Sequence, residues 1–339
     1  MITTYLTQTP RVPDLLKQIN FLNLLTPAQP PIQIKNIFQT DPALSFSLPY
    51  QLICTETVLE NPNENFISFF SDRWRQTEKI FFNSISEAAE LLTQKNNIIY
   101  FHLPFNSIRR GKLIEDDLFK RYPSALKKFS YNYHPLAFPI QRYPKFGCFT
   151  LLDSQHLLCS SHTQSSIPFG IYHFEEDKTT PPNRAYLKLW EALCEFKTYP
   201  KPGDICLDLG ASPGGWTWVL QSLGSKVYAI DKAPLAPHIQ KLNNIHYQQD
   251  SAFGLNLKKF KKIDWLVCDI ICYPDKLFSQ FMHWTAPDSP VQKIICTIKL
   301  QGDLTDDKLK EIHQFYHSHS VFIKQLWHNK HELTLFWKK

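Results

Sequence analysis

Four charged residues, two lysines and two acids, occupy positions from which they could act on one substrate. Asp269 and Lys299 each follow a short apolar run of strand-forming residues, and Lys188 lies on a predicted helix. Glu332 lies in a predicted hairpin. In an open α/β sheet, reactive groups gather where the strands end. Taken singly, each of these residues is more often a solvated surface charge, so only a neighbouring ligand site would indicate catalysis.

A glycine-bearing turn between a predicted strand and a predicted helix, within residues 205–220, indicates such a ligand site. Gly210 allows the tight turn, and Gly214 and Gly215 let the helix start close to the sheet. The spacing G-x-x-x-G-G differs from the G-x-G-x-x-G loop that holds a dinucleotide pyrophosphate, and Pro213 removes an N–H donor. A nucleoside ligand without phosphates therefore suits the turn better, and S-adenosylmethionine is the common one.

Acidic residues at the ends of the next two predicted strands extend this candidate cofactor site. Asp231 follows Gly210 by 21 residues, close to the spacing of about 20 at which an acid meets ribose hydroxyls. Asp250 should then hold the adenine amino group, and Trp216 either walls the site or belongs to the core. The predicted cofactor residues are Asp208, Gly210, Ser212, Pro213, Gly214, Gly215, Trp216, Asp231, Asp250 and Asp269.

The elements that position these residues alternate between strands and helices. We predict a helix from about residue 184 to 196, with Asn183 as its cap, and a helix over residues 303–317. This order, with a closing hairpin, predicts a mostly parallel seven-stranded sheet. The predicted strands are 204–209, 226–230, 245–249, 265–268, 293–298, 321–327 and 333–337.

The rest of the chain differs from this α/β part. Residues 12–25 are compatible with a helix, residues 65–70 read as a strand, and the charged stretch 175–182 ends in two prolines and reads as a linker. The sequence therefore predicts a smaller α+β region before the linker.

Composition limits the class of protein. The chain has 339 residues, 43% hydrophobic and 20% charged, which is typical of a folded globular protein. No apolar run approaches the ~20 residues of a membrane span, and no signal peptide is evident, so we expect a soluble cytoplasmic protein. The eight cysteines form no C-x-x-C pair, which argues against a structural zinc site, and we expect no metal.

A basic stretch over residues 109–145 carries nine Lys/Arg against three Asp/Glu, equal to the net charge of +6 of the whole chain. Cations attract a phosphate backbone, and the interleaved tyrosines could stack on unpaired bases. The alternative is a solvated surface with ordinary aromatic packing. The candidate RNA-binding residues are Arg109, Arg110, Lys112, Lys120, Arg121, Lys127 and Lys128.

From residue 183 onward the chain resembles the RNA 2′-O-ribose methyltransferases of the FtsJ class. The resemblance is carried by NRAYLKLWEA (183–192), DLGASPGGWTW (208–218), DWLVCD (264–269), IKL (298–300) and LWHNKHELT (326–334). It implies a catalytic tetrad of Lys188, Asp269, Lys299 and Glu332, and S-adenosylmethionine as cofactor. It also implies a Rossmann-like class I methyltransferase domain over 179–339, preceded by a ferredoxin-like region (1–80) and a THUMP-like RNA-binding domain (81–178).

The implied reaction is methylation of the ribose of a cytidine in large-subunit (23S) ribosomal RNA before the subunit is fully assembled. In that reaction Lys299 is a candidate general base if its pKa falls, or an orienting cation if the acids keep it protonated. Three alternatives remain open: another acceptor RNA, a non-catalytic RNA-binding or assembly protein, and a nicotinamide-dependent oxidoreductase on the same sheet.

Overall fold

Two parts of the chain form separate units in the computed structural model. One unit comprises residues 1–136 and 141–173, and the other comprises residues 137–140 and 174–339. The structure describes residues 2–25, 32–39, 50–56, 67–70, 72–95, 98–123, 135–140 and 143–339. Each unit is described by itself.

The first unit contains an antiparallel five-stranded sheet in the order β2-β3-β1-β4-β9. Its strands are β1 (Ile2–Gln8), β2 (Gln33–Gln39), β3 (Tyr50–Glu56), β4 (Asp72–Arg75) and β9 (His162–Thr163). Helix α1 (Val12–Leu25) confirms the predicted helix over the same residues. Its buried residues Leu15, Ile19 and Leu22 recur at helical spacing and give α1 one apolar face.

A second sheet in the same unit has four strands in the order β5-β8-β7-β6. Its strands are β5 (Glu78–Phe81), β6 (Ile99–His102), β7 (Phe146–Leu151) and β8 (His156–Ser160). Two helices lie between these strands in sequence: α2 (Ile85–Thr93) between β5 and β6, and α3 (Ile108–Arg121) between β6 and β7. The Ser84 hydroxyl caps α2 by accepting a hydrogen bond from the Glu87 N–H at 3.1 Å. The first unit therefore combines helices with two small, mostly antiparallel sheets.

The predicted strand at 65–70 is wrong where the structure describes it. Residues 67–70 belong to no strand. Their backbone instead bonds to side chains: the Ser68 N–H donates to Gln18 Oε1 at 2.9 Å, and the Phe69 carbonyl accepts from the Thr7 hydroxyl at 2.9 Å. Side-chain partners replace the ladder that an apolar run would otherwise join.

The second unit is built on a seven-stranded sheet in the order β12-β11-β10-β13-β14-β16-β15, which confirms the predicted sheet. The first five strands in this order pair in parallel, and β16 is antiparallel to both of its neighbours. The strands are β10 (Ile205–Leu209), β11 (Lys226–Asp231), β12 (Ile245–Gln249), β13 (Trp265–Cys268), β14 (Lys293–Lys299), β15 (Phe322–Lys324) and β16 (Glu332–Lys338).

Helices accompany these strands, and the central strand β13 is fully buried. The four residues of β13 have no exposed surface, as expected for a parallel strand that is covered on both faces. The helices are α4 (Tyr186–Phe196), α5 (Gly215–Ser222), α6 (Pro237–Gln240), α7 (Pro274–Trp284) and α8 (Asp306–Ser318). Short 3-10 turns lie at Thr9–Arg11, Pro168–Gly170, Ala252–Gly254 and Leu257–Lys259. Among the described helices, none has both the length and the apolar character that a membrane crossing requires.

Helix α4 starts two residues later than the sequence predicts. The side chain of Asn183 accepts a hydrogen bond from the Ala185 N–H at 3.1 Å, so Asn183 closes a turn before the helix rather than capping its first residue. This turn places Lys188 in the first turn of α4, where the helix meets the sheet.

Candidate functional site

Lys188, Asp269, Lys299 and Glu332 come together in the second unit as a closed square of alternating charge. Lys188 Nζ donates to Asp269 Oδ2 at 2.9 Å and to Glu332 Oε1 at 2.8 Å. Lys299 Nζ donates to Asp269 Oδ1 at 2.5 Å and also to Glu332 Oε2. The four side chains are only 8–18% exposed. The four predicted catalytic residues therefore form one partly buried cluster, which we call the charge square.

The sheet fixes three corners of the charge square. Lys299 is the last residue of β14, and Glu332, the first residue of β16, is its register partner across the antiparallel ladder. Asp269 follows β13, which is the parallel neighbour of β14. Lys188 completes the square from helix α4. Because three strand ends meet at one edge of the sheet, residues far apart in sequence lie within hydrogen-bonding distance.

In the charge square, the opposite charges shift the pKa values of Asp269 and Lys299 more than burial does. Burial raises the pKa of Asp269, but Lys188 and Lys299 outweigh this effect and bring the pKa below its ordinary value. Burial lowers the pKa of Lys299, but Asp269 and Glu332 outweigh this effect and bring the pKa above its ordinary value. Before substrate enters, Lys299 is therefore an ammonium and Asp269 a carboxylate.

The glycine turn lies directly beside the charge square. The Asp269 N–H donates to the carbonyl of Leu209 at 3.3 Å, and Leu209 immediately precedes Gly210. Gly210 has φ +78°, and a Cβ at this position would stand 2.6 Å from Ile270 Cγ1. Gly214 has φ +115°, and its Cβ would stand 2.8 Å from Ile239 Cγ2. Both positions need glycine for conformation and for space.

Asp231 and Asp250 lie at successive strand ends on the other side of this turn. Asp231 Oδ2 accepts from the Ser212 N–H at 2.9 Å, and Oδ1 accepts from the Ala233 N–H at 2.9 Å. The Asp250 N–H donates to the Asp231 carbonyl at 3.1 Å, and the Asp250 side chain is exposed. The turn and these two acids thus line one edge of the sheet, from β10 to β12.

Two predicted cofactor residues lie inside the domain rather than at its surface. Asp208 is 1% exposed and accepts a hydrogen bond from the Thr217 hydroxyl at 2.6 Å. Burial raises the pKa of Asp208 to about 7. Trp216 is 4% exposed, and its ring N–H donates to the Ala185 carbonyl at 2.9 Å. Both side chains hold α5 in place, and Trp216 joins it to the start of α4.

Sequence reasoning missed two residues that support the charge square. The Thr297 hydroxyl donates to Asp269 Oδ1 at 2.7 Å. Glu191, at 1% exposure, accepts hydrogen bonds from the backbone N–H groups of Trp327 (2.6 Å) and His328 (2.9 Å), in the loop before Glu332. Spacing could have indicated both, because Thr297 is two residues from Lys299 on a strand and Glu191 three from Lys188 on a helix.

The predicted RNA-binding residues that the structure describes lie on α3 of the first unit, and several already have protein partners. Arg121 bonds to Asp117 (2.8 Å) and to the Ser86 hydroxyl (2.7 Å), and Lys112 pairs with Glu115 (2.8 Å). Arg110 donates to the Asn83 carbonyl at 3.1 Å. Arg109 and Lys120 are exposed and make no ion pair with any described residue. Lys127 and Lys128 lie outside the described residues.

Metal ligands do not cluster in the ranges that the structure describes. No group of three or more His, Cys, Asp or Glu side chains among those residues could hold an ion. The acids of the charge square are bonded to lysines rather than to one another.

One family model matches most of the second unit. Residues 181–332, which contain all four corners of the charge square, match the family model described as FtsJ-like methyltransferase. This match covers all but the last two of the residues whose motifs suggested the same class.

The chain is similar in sequence to named relatives, and its similarity to a solved structure is weaker. The ribosomal RNA large subunit methyltransferase M of Halorhodospira halophila is 29% identical over 197 residues, which are 54% of this chain and 55% of that protein. The protein of the same name from Xanthomonas axonopodis pv. citri is 32% identical over 214 residues, covering 58% and 59%. The chain thus spans a little over half the length of these relatives. The structural alignment with TrmN from Thermus thermophilus covers 100% of this chain and 99% of that chain at 11% sequence identity. Its TM-score of 0.35 reflects only weak structural similarity.

Proposed function

Residues 181–332 form an FtsJ-like methyltransferase domain, and on this premise we propose that the protein methylates RNA. The proposed reaction transfers the methyl group of S-adenosylmethionine to the 2′-hydroxyl of a ribose. The proposed acceptor is a cytidine of large-subunit (23S) ribosomal RNA, and the proposed place of action is the cytoplasm.

The charge square beside the glycine turn is the observation that carries this proposal. Methyl transfer from a cationic sulfur to an alcohol oxygen depends on holding the two reactants in line. A carboxylate can accept a hydrogen bond from a hydroxyl group, and an ammonium group can donate one to its oxygen. The charge square can therefore hold a hydroxyl group in one orientation. The hydrogen bond between Asp269 and Leu209 puts this cluster next to Gly210 and the glycine turn.

The turn and the acids beside it fit S-adenosylmethionine. Gly210 keeps the turn tight, because its backbone has a positive φ and packs against Ile270 where a side chain would not fit. Asp231 and the exposed Asp250 supply carboxylates at the next strand ends, suited to ribose hydroxyls and to an amino group. Asp208 and Trp216 act indirectly in this proposal, by fixing α5 and the turn.

The chemistry follows from the charges on the square. When bound, S-adenosylmethionine supplies a methyl carbon on a positively charged sulfur, which leaves as a neutral thioether with the electrons of the broken bond. Lys299 donates a hydrogen bond to the acceptor oxygen and leaves its other lone pair directed at the methyl group. The hydroxyl would become strongly acidic as its oxygen bonded to the methyl carbon, so a carboxylate of the charge square, Asp269 or Glu332, could take its proton and no strong base would be needed.

This proposal gives Lys299 an orienting role rather than the role of a general base. The two acids raise its pKa above the ordinary value, so its proton stays on the nitrogen at neutral pH.

An RNA acceptor is supported by the relatives and by the first unit. The two matched relatives carry a name that places their reaction on large-subunit ribosomal RNA. In the first unit, Arg109 and Lys120 are exposed and available to phosphates. We assign α3 to a THUMP-like RNA-binding domain (81–178), preceded by a ferredoxin-like region (1–80) and followed by the catalytic domain (179–339).

The test incubates the full chain with S-adenosylmethionine labelled on its methyl group and with deproteinised large-subunit RNA, and then maps ribose methylation. We expect one modified cytidine. Lys188→Met should lower methyl transfer by about 100-fold or more, because the square loses a cation and leaves two carboxylates unbalanced. Cofactor affinity, measured by calorimetry, should change little.

Lys201→Met is the matched control, since Lys201 is exposed and precedes β10, at the opposite end of that strand from the turn. It should leave methyl transfer unchanged. Methylation of a different RNA would overturn the acceptor, and cofactor binding without any methylation would indicate a non-catalytic protein. Binding of a nicotinamide dinucleotide in place of S-adenosylmethionine would overturn the proposed reaction.

A further inference from the structure

Two large apolar side chains are exposed directly after Asp269 of the charge square. Ile271 is 81% exposed and Tyr273 is 63% exposed, whereas Cys272 between them is buried. Within residues 174–339, Met282 is the one other large hydrophobic side chain that is more than half exposed. Exposed apolar side chains grouped at one place indicate a surface that binds something.

The segment that carries them is fixed at both ends. Ile270 packs at Gly210, with its backbone nitrogen 3.3 Å from the place a Cβ would occupy there. Tyr273 is the residue before α7 and has an extended conformation, with φ −69° and ψ 151°. Four residues of chain reach at most about 14 Å, so Tyr273 lies within about one or two nucleotides of a ribose held at Asp269.

Charged side chains surround the same segment. Burial and the Asp275 carboxylate raise the pKa of the Cys272 thiol, and the cations of Lys276 and Lys299 offset part of that rise. Lys276 is exposed in the first turn of α7, and its ammonium stands 5.0 Å from the centre of the Phe253 ring. A cation and an exposed aromatic ring one helical turn apart are the pair that binds a phosphate and a base of a single strand.

We propose that Ile271 and Tyr273 form a ledge on which one unpaired base of the acceptor RNA stacks. The base belongs to the methylated nucleotide or to its immediate neighbour, and Lys276 contacts the adjoining phosphate. A ribose in a duplex cannot enter a recessed square with its base still paired, so the displaced base needs a surface of its own. The ledge rests on the proposed function, because it requires an RNA in the charge square.

The first test compares Tyr273→Ala with Tyr273→Phe in the full chain. Removing the ring should raise the KM for RNA by roughly 5- to 150-fold, the range that stacking of a base on an aromatic side chain contributes. Phenylalanine keeps the stacking surface and should stay within about twofold of wild type. Cofactor affinity by calorimetry should be the same for all three proteins. Met282→Ala, at an exposed position on the far part of α7, is the matched control and should leave the KM unchanged.

The second test removes the base instead of the ring. Abasic nucleotides are placed in turn at the mapped acceptor and at its two neighbours, and each RNA is assayed with wild type and with Tyr273→Ala. At the stacked position the two losses should not add, because either change alone abolishes the same contact. Losses that add at all three positions would overturn the ledge, as would an unchanged KM for Tyr273→Ala.

A third measurement separates failure of the ledge from failure of the proposed function. Single-stranded RNA that carries the fluorescent base 2-aminopurine should be quenched by wild type and by Tyr273→Phe, and not by Tyr273→Ala. This readout needs no methyl transfer, so it supports or overturns the ledge even if wild type methylates no RNA. A lower oligomeric mass for Tyr273→Ala in sedimentation would show that a second copy covers the ring, and would also overturn the ledge.

Discussion

The carboxylate of Glu191 holds His328 at two points. Its Oε2 accepts the backbone N–H of His328 at 2.9 Å and lies 2.7 Å from the ring Nδ1 of the same residue. The other oxygen accepts the Trp327 N–H at 2.6 Å. Since Glu191 follows Lys188 by three residues on α4, one helix fixes both a lysine of the charge square and the loop that leads to Glu332.

Glu191→Ala should lower both stability and catalysis. It leaves two backbone N–H groups without their acceptor, at a cost of about 1–3 kcal/mol each. The loop before Glu332 then loosens, so we expect kcat to fall more than tenfold, with a smaller change in cofactor affinity. Thermal unfolding and single-turnover methyl transfer measure the two effects.

Glu195→Gln is the matched control for this prediction. Glu195 lies one turn further along α4 and pairs with Lys324 at 3.1 Å, where both side chains are almost fully buried. Glu195→Gln should lower the thermal midpoint but leave kcat near the wild-type value at a temperature where the protein is folded. Equal losses of kcat in the two variants would mean that Glu191 contributes only general stability.

Lys299 should act as a cation across the neutral and mildly alkaline range. Its pKa lies above the ordinary value, so the ammonium persists at every pH below that value. We therefore expect single-turnover methyl transfer to be nearly flat from about pH 7 to 9.5, with part of the rate retained by Lys299→Arg and almost none by Lys299→Met.

A general base would behave differently. The rate would rise about tenfold for each pH unit as the neutral amine became more abundant, and Lys299→Arg would be inactive because guanidinium does not release its proton. That combination of results would contradict the orienting role.

Gly210→Ala should abolish cofactor binding, whereas Gly203→Ala should not. Both glycines have positive φ, +78° and +86°, so either alanine costs roughly 1–3 kcal/mol of backbone strain. Only at Gly210 would the new Cβ meet a side chain, Ile270 Cγ1 at 2.6 Å; at Gly203 nothing lies within 4 Å. Calorimetry with S-adenosylmethionine compares the two variants, which share the backbone strain but differ in crowding of the turn. Equal binding by both variants would contradict the assignment of this turn to the cofactor.

Asp208 should make the protein less stable as the pH rises from about 4 to 7. Its folded pKa of about 7 lies above the unfolded value near 3.9, so in this range the folded carboxyl keeps a proton that the unfolded chain has lost. The contribution is fully present below pH ~4 and is lost through pH ~7, a change of up to about 4 kcal/mol. Thermal midpoints of Asp208→Asn should rise relative to wild type over this range.

Thr217→Val refines the same measurement. The hydroxyl of Thr217 donates to Asp208 and lowers the pKa that burial raises, so its removal should move the upper end of the pH-dependent range higher. A difference between Asp208→Asn and wild type that stays constant from pH 4 to 8 would show that Asp208 ionises normally.

RNA binding by the first unit should depend on Arg109 and Lys120 more than on Arg121. The side chain of Arg121 is already bonded to Asp117 and Ser86, so Arg121→Ala removes little free charge. Arg109→Ala or Lys120→Ala should each lower the slope of log affinity against log salt by about 0.7–0.9. Filter binding at several salt concentrations measures the slope, and equal effects for all three would contradict the distinction.

Much of the catalytic domain could be predicted from its sequence because strands and turn residues there follow simple patterns. The strands 265–268 and 245–249 are observed with the predicted bounds. Asp269 and Lys299 could be placed together because each follows a buried strand of the same sheet. Glu332 was harder to place, since its contact with Lys299 depends on the register of an antiparallel ladder.

What the sequence did not indicate depends on partners distant along the chain. The strand predicted at 65–70 is replaced by bonds to Gln18 and Thr7, which no local pattern reveals. Asp208 lies just before the glycine turn in sequence, and no local pattern reveals that its carboxyl accepts a hydrogen bond from Thr217. The side of a strand that a residue faces is decided by packing, and packing is not visible in one segment alone.

The pairing of Lys299 with Glu332 sets a limit on which insertions and deletions this domain can accept. Neighbouring residues of a strand face opposite sides, so adding or losing one residue within β14 or β16 would turn the glutamate away and place Leu333 or His331, according to the direction of the shift, opposite the lysine. Changes of length outside the ladder leave the two residues opposite each other. Evolutionary drift and engineering alike can therefore lengthen the connections around these strands, while the strands themselves must keep their residue count.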